Sequence, residues 1–407
     1  MSRVVVLGGC GGIGRVAVRG LVASGVFDDI VVADLRRDDA EKFAAEVGAP
    51  ARGVAIDVTD SAALVALLTG ARVVLNCVGP FYRFGPPTLR AALEARVDYV
   101  DVCDDLAPTR EMLELDGLAR ERGVSALIGM GNSPGLANLF VKLCADALLD
   151  SVDSVDIYHV HGGEPVEGAA VIKHRIAAMV HDVPLFIDGR FVNVRQLEAS
   201  GEAHVREVDF RSVGKLAVFP YPHPETITLP ANIPGLRRAT NMGVIFPLRY
   251  FRLTQDMVRV GACTETPLRV GDRDVIPLDF SVAHILSQRA RILAEEGVTG
   301  PAGCLQVDVG GKKDGEARAF VFSLSSKSAG AGEGTGIPAA AGAVLMATGR
   351  IERKGVLAPE VAVNPLEALA LALGLGKKLG MAGGDSVHLE QIDAQGHRSP
   401  LPIPMSL

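Results

Sequence analysis

Apolar residues recur along the first third of the chain in short runs that are separated by amphipathic stretches. Six such runs lie between Val4 and about Ile128, and their sequences are VVVLG, IVVAD, GVAID, VVLNCVG, YVDVC and SALIG. The stretches between them repeat apolar residues at helical spacing. Strands that alternate with helices in this way are typical of βαβ units, so the pattern predicts a parallel sheet with helices on both faces.

The pattern changes after the sequence GMGNSPG. From about Val155 to Lys327 the apolar runs are longer and partly alternate with polar residues, as in VDIYHVHGG, PLFIDGRFVNV and ARAFVFSLSS. Alternation of this kind is typical of strands with one covered face. We therefore predict an α/β doubly wound domain over residues 1–135 and a second α+β domain with a mixed sheet over residues 136–335. The stretch SAGAGEGTG, at 328–336, predicts a flexible loop before a helix.

The composition narrows the classes of ligand. With 407 residues, of which 48% are hydrophobic, the chain can bury a large core in two or three domains. Its net charge of −7 comes without a block of Lys and Arg, which argues against nucleic acid and favours small molecules. The six cysteines are widely spaced and include no C-x-x-C pair, so neither a disulfide framework nor a zinc site is indicated. We find no signal-peptide pattern and no apolar stretch of about 18 residues, so we expect a cytoplasmic protein without a membrane partner.

The first apolar run leads directly into the glycine-rich stretch GGCGGIG, in which Gly9 to Gly14 match the pattern G-x-G-x-x-G. The match lies between a predicted strand and a predicted helix, and Asp34 follows at the end of the next strand. In such a motif Gly11 lets a pyrophosphate approach the backbone, and the helix N-terminus offers it free amides. We predict a dinucleotide site, with a turn that binds no ligand as the alternative. Its loop residues are Gly9, Gly11, Gly12, Ile13 and Gly14.

The residues after the second and third strands bear on the identity of the dinucleotide. Asp34 could accept hydrogen bonds from the ribose hydroxyls of NAD, whereas Arg36 could face the 2′-phosphate of NADP. We expect NAD, with NADP as the alternative. Asp57 and Val58 follow the third strand and are expected to border the adenine, and Asp60 is expected to cap the next helix.

Ligands of doubly wound sheets bind beyond the carboxyl ends of the strands, which makes three later loops candidate sites. Their sequences are NCVGPFYRFGPP, YVDVCDD and GMGNSPGLANL. We expect the first loop to pass under the nicotinamide ribose and the substrate to contact the following helix and the third loop. The residues concerned are Cys77, Val78, Gly79 and Pro80 for the cofactor, and Phe81, Tyr82 and Asn132 for the substrate.

These three loops, in this order after an N-terminal glycine motif, resemble those of the saccharopine dehydrogenase-like oxidoreductases. The pieces that carry the resemblance are NCVGPF, YVD and SPGLANL. The later segments VDIYHVHGGEP, PETITLP and GIPAAAGAVLMATGRIERKGVLAPE are similar to the lysine 6-dehydrogenase branch. At His159 and His161 the chain departs from the family, in which an apolar run often precedes the Gly-Gly pair.

The resemblance implies an NAD(P)-dependent enzyme that acts on a carbon–nitrogen bond of an amino acid or amine. The reaction would be either oxidative deamination through an imine or reductive condensation, as in saccharopine reductase or carboxynorspermidine synthase. The resemblance also implies that the second domain closes the cleft and forms a homodimer, and that residues of about 336–385 return to the first domain. A dinucleotide-binding sensor without catalysis is the alternative from another class.

Beside the hydride, such a reaction must move one proton, and two residues are candidate bases. Asp101 ends the fifth strand and could hold an ammonium group or accept a proton if burial raises its pKa, with a turn or capping role as the alternative. His223 lies in the proline-rich stretch FPYPHPETITLP, which could hold an imidazole rigidly near neutral pH, with a purely structural loop as the alternative. Cys103 has no histidine near it in the sequence and is expected to be a buried thiol.

Two further sets of residues in the second domain could take part. His159 and His161 would share one face of a strand and could line the cleft or bind a metal, although a half-exposed sheet face is the favoured interpretation. A substrate carboxylate is bound best by a guanidinium group. The arginine candidates are Arg175, Arg211, Arg249 and Arg252.

Overall fold

The structure is a computed structural model that describes residues 2–327, 332–381 and 387–402. The strands within these ranges are β1 Arg3–Leu7, β2 Asp29–Asp34, β3 Ala51–Ala55, β4 Val73–Asn76, β5 Asp98–Asp101, β6 Ser125–Leu127, β7 Ser151–Gly162, β8 Val183–Ile187, β9 Arg190–Val194, β10 Arg206–Phe210, β11 Gly214–Pro220, β12 Arg238–Phe246, β13 Leu268–Val270, β14 Arg273–Val275, β15 Ala302–Lys313, β16 Glu316–Ser326, β17 Gly355–Leu357, β18 Val387–Ile392 and β19 Arg398–Leu401. The α-helices are α1 Gly12–Ser24, α2 Arg37–Val47, α3 Ser61–Leu68, α4 Phe81–Ala95, α5 Leu106–Glu114, α6 Asp116–Arg122, α7 Leu136–Leu143, α8 Ala169–Val180, α9 Ala199–Glu202, α10 Glu225–Asn232, α11 Leu248–Arg259, α12 Pro277–Glu295, α13 Gly332–Ala347, α14 Pro359–Ala362 and α15 Pro365–Lys378.

The first domain contains a seven-stranded parallel sheet with the order β17-β6-β5-β4-β1-β2-β3. Residues Val4–Leu7 of the central strand are fully buried, as are Ile30–Ala33 on one side and Val73–Leu75 on the other. Burial on both faces explains why these strands are continuous apolar runs. The chain moves in opposite directions from β1 towards β2 and towards β4, and the loops that diverge there open a crevice. The predicted doubly wound parallel sheet is confirmed.

Helix α13 and strand β17 pack on the first domain, whereas β18 and β19 extend the sheet of the second. Strand β17 runs parallel to β6, with Gly355 opposite Ser125. Helix α13 lies against α1 so closely that a Cβ on Gly336 would be 2.8 Å from Val16. The predicted loop at 328–336 was wrong for residues 332–336, which already belong to α13 because these small residues pack on α1. Residues 328–331 lie outside the described residues.

The second domain contains a mixed ten-stranded sheet, which confirms the prediction of a mixed sheet. At its centre β7 is parallel to β12 and antiparallel to β15. The face that carries Ile157 and Phe322 joins the core of the first domain, and the ring of Phe322 stacks on Phe140 of α7 with centroids 4.5 Å apart. Helices α8, α11 and α12 form a separate cluster beside this sheet. None of the described helices combines the length and apolar character needed to cross a membrane.

Candidate active site

The glycine loop between β1 and α1 closes on its own backbone. The amide of Gly11 donates to the carbonyl of Gly8 at 3.1 Å, and a Cβ on Gly14 would lie 2.2 Å from the same oxygen. Gly14 therefore admits no side chain, whereas a Cβ on Gly12 would meet no atom within 4 Å. Helix α1 has no side-chain cap, so the first-turn amides of Gly12 and Ile13 lack intrahelical acceptors. This exposed cradle fits a pyrophosphate at the helix N-terminus.

Asp34 comes after the glycine loop in the sequence and lies beside it in the structure. Its Oδ2 accepts a hydrogen bond from the amide of Cys10 at 3.0 Å, and its Oδ1 accepts one from Leu35 at 2.9 Å. Arg36 is exposed and forms an ion pair with Asp39 on α2. The carboxylate therefore borders the loop, while the guanidinium is engaged elsewhere on the surface.

The ends of β3 and β4 reach the same edge of the sheet. Asp57 forms a turn in which its Oδ1 accepts from the amide and the hydroxyl of Thr59, and this hydroxyl lowers its pKa. Asp60 accepts from the amide of Ala63, which confirms it as the cap of α3. At the end of β4, a Cβ on Gly8 would lie 3.0 Å from the backbone of Cys77, so the two loops are in contact. The structure thus brings the predicted cofactor residues of four strands to one edge, with Val58, Val78, Gly79 and Pro80 beside those named here.

Asp101, at the end of β5, is fully buried and receives all its hydrogen bonds from nearby protein groups. Its Oδ1 accepts from the amides of Gly129 at 2.7 Å and Cys103 at 3.0 Å, and its Oδ2 accepts from the Tyr99 hydroxyl at 2.9 Å. Burial raises the pKa of Asp101 to about 6, and these donors oppose the rise. The carboxylate braces β5 against the turn after β6, and its part as a base stays a prediction.

His223 lies between β11 and α10 and is 8% exposed. Its Nδ1 is 3.2 Å from Oε2 of Glu225, and Oε1 of this fully buried carboxylate accepts a hydrogen bond from the Ser133 hydroxyl. Burial opposes protonation of the imidazole, but the charge and hydrogen bond of Glu225, supported by Asp104 and Asp105, raise its pKa. Because Ser133 belongs to the turn after β6, this acid–base unit of His223, Glu225 and Ser133 joins the two domains.

Other rings surround His223. The centroid of its ring is 5.2 Å from that of His159 and 5.7 Å from that of Tyr221. Burial, together with the charge of His223, lowers the pKa of His159 far below its usual value, so this imidazole is neutral. His161 is half exposed and pairs with Glu164 at 2.8 Å. The two histidines of β7 therefore lie in different environments, and the described residues contain no cluster of three or more metal-ligand side chains.

Two carboxylates extend from the loop after β5 towards these rings. Asp105 lies 3.6 Å from Nδ1 of His174 on α8, and burial followed by the charge of Asp104 raises its pKa. The side chain of Asp104 has no hydrogen bond or ion pair within the part of the chain that the structure describes. Its charge nevertheless acts on Tyr221 and His223. Among the described residues, Asp104 therefore lies near these rings without a direct ion-pair partner.

Arg175 on α8 is 1% exposed, which distinguishes it from the other candidate arginines. It forms an ion pair with Glu167, and its guanidinium carbon lies 5.3 Å from the centroid of the Tyr250 ring. Its Nε and Nη1 have no hydrogen-bond partner among the described residues. Burial raises the pKa of Tyr221 and the charge of Arg175 opposes this, so the guanidinium lies near the ring cluster. The three exposed candidates are Arg211, Arg249 and Arg252.

The three predicted substrate residues lie at two places: Asn132 beside the acid–base unit, and Phe81 and Tyr82 at the start of α4. Asn132 adjoins Ser133, and its Oδ1 is buried without a hydrogen-bond partner within the described ranges. Phe81 is the first residue of α4 and is buried, with 7% of its surface exposed. The side chain of Tyr82 is exposed, and its backbone amide opposes the rise in the pKa of Asp105.

The partners of His223 were not predicted from the sequence. Glu225 stands two residues after His223 within PETITLP, and a carboxylate so close to a candidate base was a usable signal. Ser133 lies 92 residues away in the sequence, and no periodicity connects it with His223. Tyr221 and the unpaired Asp104 likewise became apparent only from the tertiary structure.

A doubly wound sheet with a glycine cradle at its switch point is typical of dinucleotide-binding domains. Together with the family model and the relatives that follow, it supports an NAD(P)-dependent oxidoreductase. Residues 4–127 match the family model of the saccharopine dehydrogenase NADP binding domain. The fold resembles that of apo saccharopine dehydrogenase (L-Glu forming) from Saccharomyces cerevisiae, with a TM-score of 0.67 at 17% identity over 96% of this chain and 99% of that one.

Two curated relatives extend the match over the second domain. Carboxyaminopropylagmatine dehydrogenase of Synechocystis sp. is 24% identical over 92% of this chain and 96% of its own length. Carboxynorspermidine synthase of Vibrio cholerae is 26% identical over 72% of this chain and 75% of its own length. These comparisons confirm the resemblance to the saccharopine dehydrogenase-like oxidoreductases found in the sequence.

Proposed function

We propose that this enzyme oxidises or forms a carbon–nitrogen bond of an amino acid or amine with NAD(P). The observation that carries the proposal is the acid–base unit, in which Glu225 and Ser133 fix the buried imidazole of His223 near the carboxyl edge of the dinucleotide domain. A protonated amine must lose a proton before its carbon can give up a hydride. That step requires a base that titrates near neutral pH, and histidine is the side chain suited to it.

The cofactor would be bound by the cradle and by the ends of β2, β3 and β4. When bound, its nicotinamide supplies or accepts the hydride. Asp34 suits the ribose hydroxyls of NAD, whereas NADP would require Arg36 to leave Asp39 and face the 2′-phosphate. We propose NAD, and the name of the matched domain family keeps NADP as the alternative. The residues are Gly9, Gly11, Gly12, Ile13, Gly14, Asp34, Asp57, Val58, Cys77, Val78, Gly79 and Pro80.

His223 would move the proton in both directions. In oxidation the neutral imidazole takes a proton from the substrate ammonium group, and the carbon would give its hydride to oxidised NAD(P). Water then splits the resulting imine into a carbonyl compound and an amine, or ammonia where the substrate amine is primary. In reduction the imidazolium protonates the nitrogen while the carbon receives the hydride. Asp101 is the alternative base, although three protein donors already occupy its carboxylate.

The cleft offers binding groups of both signs for the rest of the substrate. Arg175 presents two buried nitrogens, Nε and Nη1, without hydrogen-bond partners among the described residues, and their N–H groups suit a carboxylate. Asp104 presents an unneutralised carboxylate near the same rings, which suits a second cationic nitrogen. Asn132 could contact the reacting end through its unpaired Oδ1. We therefore propose a substrate that carries one carboxylate and a cationic group apart from the reacting nitrogen.

Two reactions fit this site. Reductive condensation of an amine with a carbonyl compound is favoured by the names of the relatives, both of which denote carboxylated amines. Oxidative deamination of an amino acid, as by lysine 6-dehydrogenase, is the second candidate, because lysine also carries a carboxylate and two amino groups. The non-catalytic sensor is the third.

One assay separates the three. Nicotinamide absorbance is followed with lysine and other amino acids plus NAD or NADP, and in parallel with diamines or agmatine plus a carboxylated aldehyde and NADH or NADPH. Turnover that needs both amine and aldehyde supports condensation, whereas turnover with a single amino acid supports deamination. Cofactor binding without turnover on either panel would contradict the proposed function.

A further inference from the structure

Glu360 is a buried carboxylate outside the acid–base unit. It lies on α14, is 4% exposed, and has no ion pair within the residues that the structure describes. Its Oε2 accepts a hydrogen bond from Nδ2 of Asn138 at 2.8 Å, and its Oε1 accepts one from Nδ2 of Asn232 at 3.0 Å. Glu360 thus links the returning C-terminal segment to α7 and to α10.

These bonds close a ring with the acid–base unit. Asn138 also accepts from the amide of Gly135 at 2.9 Å, and Gly135 belongs to the same short turn as Ser133. Asn232 is the last residue of α10, whereas Glu225 is the first. Helix α10 is therefore attached to this turn at both ends, directly through Glu225 and Ser133, and indirectly through Asn232, Glu360 and Asn138.

We propose that Glu360 is a positioning residue, which fixes the orientation of α10 and thereby holds Glu225 against His223. Helix α10 has eight residues and is about 12 Å long, and its middle is held in the core by the buried Leu229. Freeing its C-terminal end lets the helix tilt about this packed middle, which moves Glu225 at its N-terminal end. The consequence for catalysis rests on the proposed function of His223, but the positioning itself does not.

The titration midpoint of His223 reports the position of Glu225, and therefore the orientation of α10. Glu225 faces the imidazole from α10, and it is the group whose distance from His223 would change with the tilt of α10. The other titratable or charged groups around the ring are Asp104 and Asp105 from the loop after β5, His159 from β7, and Tyr221 from the end of β11. These four belong to elements that Glu360 does not contact directly.

Conservative and disruptive substitutions of Glu360 have different consequences. In Glu360→Gln the new oxygen can accept from Asn138, whose own oxygen is held by the Gly135 amide and cannot exchange places with its nitrogen. The new NH₂ group can donate to Asn232 after a flip of that exposed amide. Both links therefore survive in Glu360→Gln, whereas Glu360→Leu removes both.

The test follows His223 by NMR in the full-length protein without substrate, using histidine labelled with ¹⁵N in the ring. We expect the titration midpoint to fall by about one pH unit in Glu360→Leu, and less in Asn232→Ala, as Glu225 moves away. Glu360→Gln should titrate like the wild type. Asn232→Ala alters an exposed side chain and keeps the test valid if Glu360→Leu fails to fold.

Asp98→Leu is the matched control. Asp98 is also a buried carboxylate that accepts from three segments, through Ser125, Arg72 and Lys354, but it lies at the opposite end of the first sheet. It should destabilise the fold without moving the midpoint of His223. An unchanged midpoint in Asn232→Ala and in any folded Glu360→Leu, or an equal change in Asp98→Leu, would overturn the proposal. Because the protein is titrated without substrate, failure here is distinguishable from failure of the proposed function, which appears as absent turnover.

Discussion

The two halves of the candidate site are built by different means. The dinucleotide half is made of backbone, since Gly8 to Gly14 form a cradle whose shape depends on the absence of side chains. The substrate half is made of buried side chains that come from distant segments, and its properties depend on charge and on hydrogen bonds. Its main members are Asp104, Ser133, His159, Arg175, His223 and Glu225. Substitutions should therefore act by steric clashes in the dinucleotide half and by changes of protonation or charge in the substrate half.

The largest effect is expected from His223→Asn in the substrate half. Loss of the acid–base group should lower kcat by about 10²–10⁴-fold, while the Kd for NAD(P)H stays unchanged because the cradle is untouched. Steady-state assays and fluorescence titration measure the two quantities. His397→Asn alters an exposed histidine and is the control. A kcat of His223→Asn close to that of the wild type would remove His223 from the mechanism.

A large effect on binding is expected from Gly14→Val in the dinucleotide half. Its Cβ would overlap the Gly8 carbonyl, so the loop must open, with a loss of stability of about 1–3 kcal/mol and a weakening of dinucleotide binding by about 100-fold. Gly12→Ala is the matched variant, because its Cβ has free space in the protein but points to the proposed pyrophosphate. It should keep the Tm and still bind the dinucleotide less tightly. Equal binding by Gly14→Val and the wild type would refute the cradle.

An intermediate effect is expected from Asp104→Asn. This change removes a carboxylate without a protein partner, so the Tm should stay constant while KM rises about tenfold, equivalent to about 1.4 kcal/mol, for substrates with a second cationic group. Substrates without that group should keep their KM and show only the shift of the pH profile common to both classes, because Asp104 also helps to raise the pKa of His223. Glu111→Gln, on the outer side of α5, is the control. The same rise in KM for both classes of substrate would show that Asp104 does not recognise the second cation.

The smallest effect is expected from Asp34→Ala. Loss of one hydrogen-bonding group to the ribose should raise the Kd for NAD by about three- to tenfold and leave NADP less affected. Arg36→Ala should weaken NADP alone. Titration of each variant with both dinucleotides provides the comparison. If the preference for NAD is unchanged in Asp34→Ala, the assignment of the ribose contact is refuted.

The same contrast explains what the sequence could predict. The strands of the first domain were predictable because burial on both faces leaves continuous apolar runs, and the cradle was predictable because it is local. The short strand β17 and the start of α13 were not, since glycine-rich or three-residue segments take their structure from their neighbours. In the substrate half, His223 was predicted as a candidate base but Ser133 was not. No sequence feature indicated that Arg175, unlike the other three candidate arginines, would be buried.

The pH dependence of kcat/KM in the oxidative direction tests most directly whether Glu225 tunes His223 as the acid–base group. Oxidation requires neutral His223, so the rate rises with pH through the pKa of His223, which Glu225 raises above its usual value. Removal of that charge in Glu225→Gln should move the inflection to lower pH by about one unit. An inflection at the same pH in Glu225→Gln and the wild type would contradict the account.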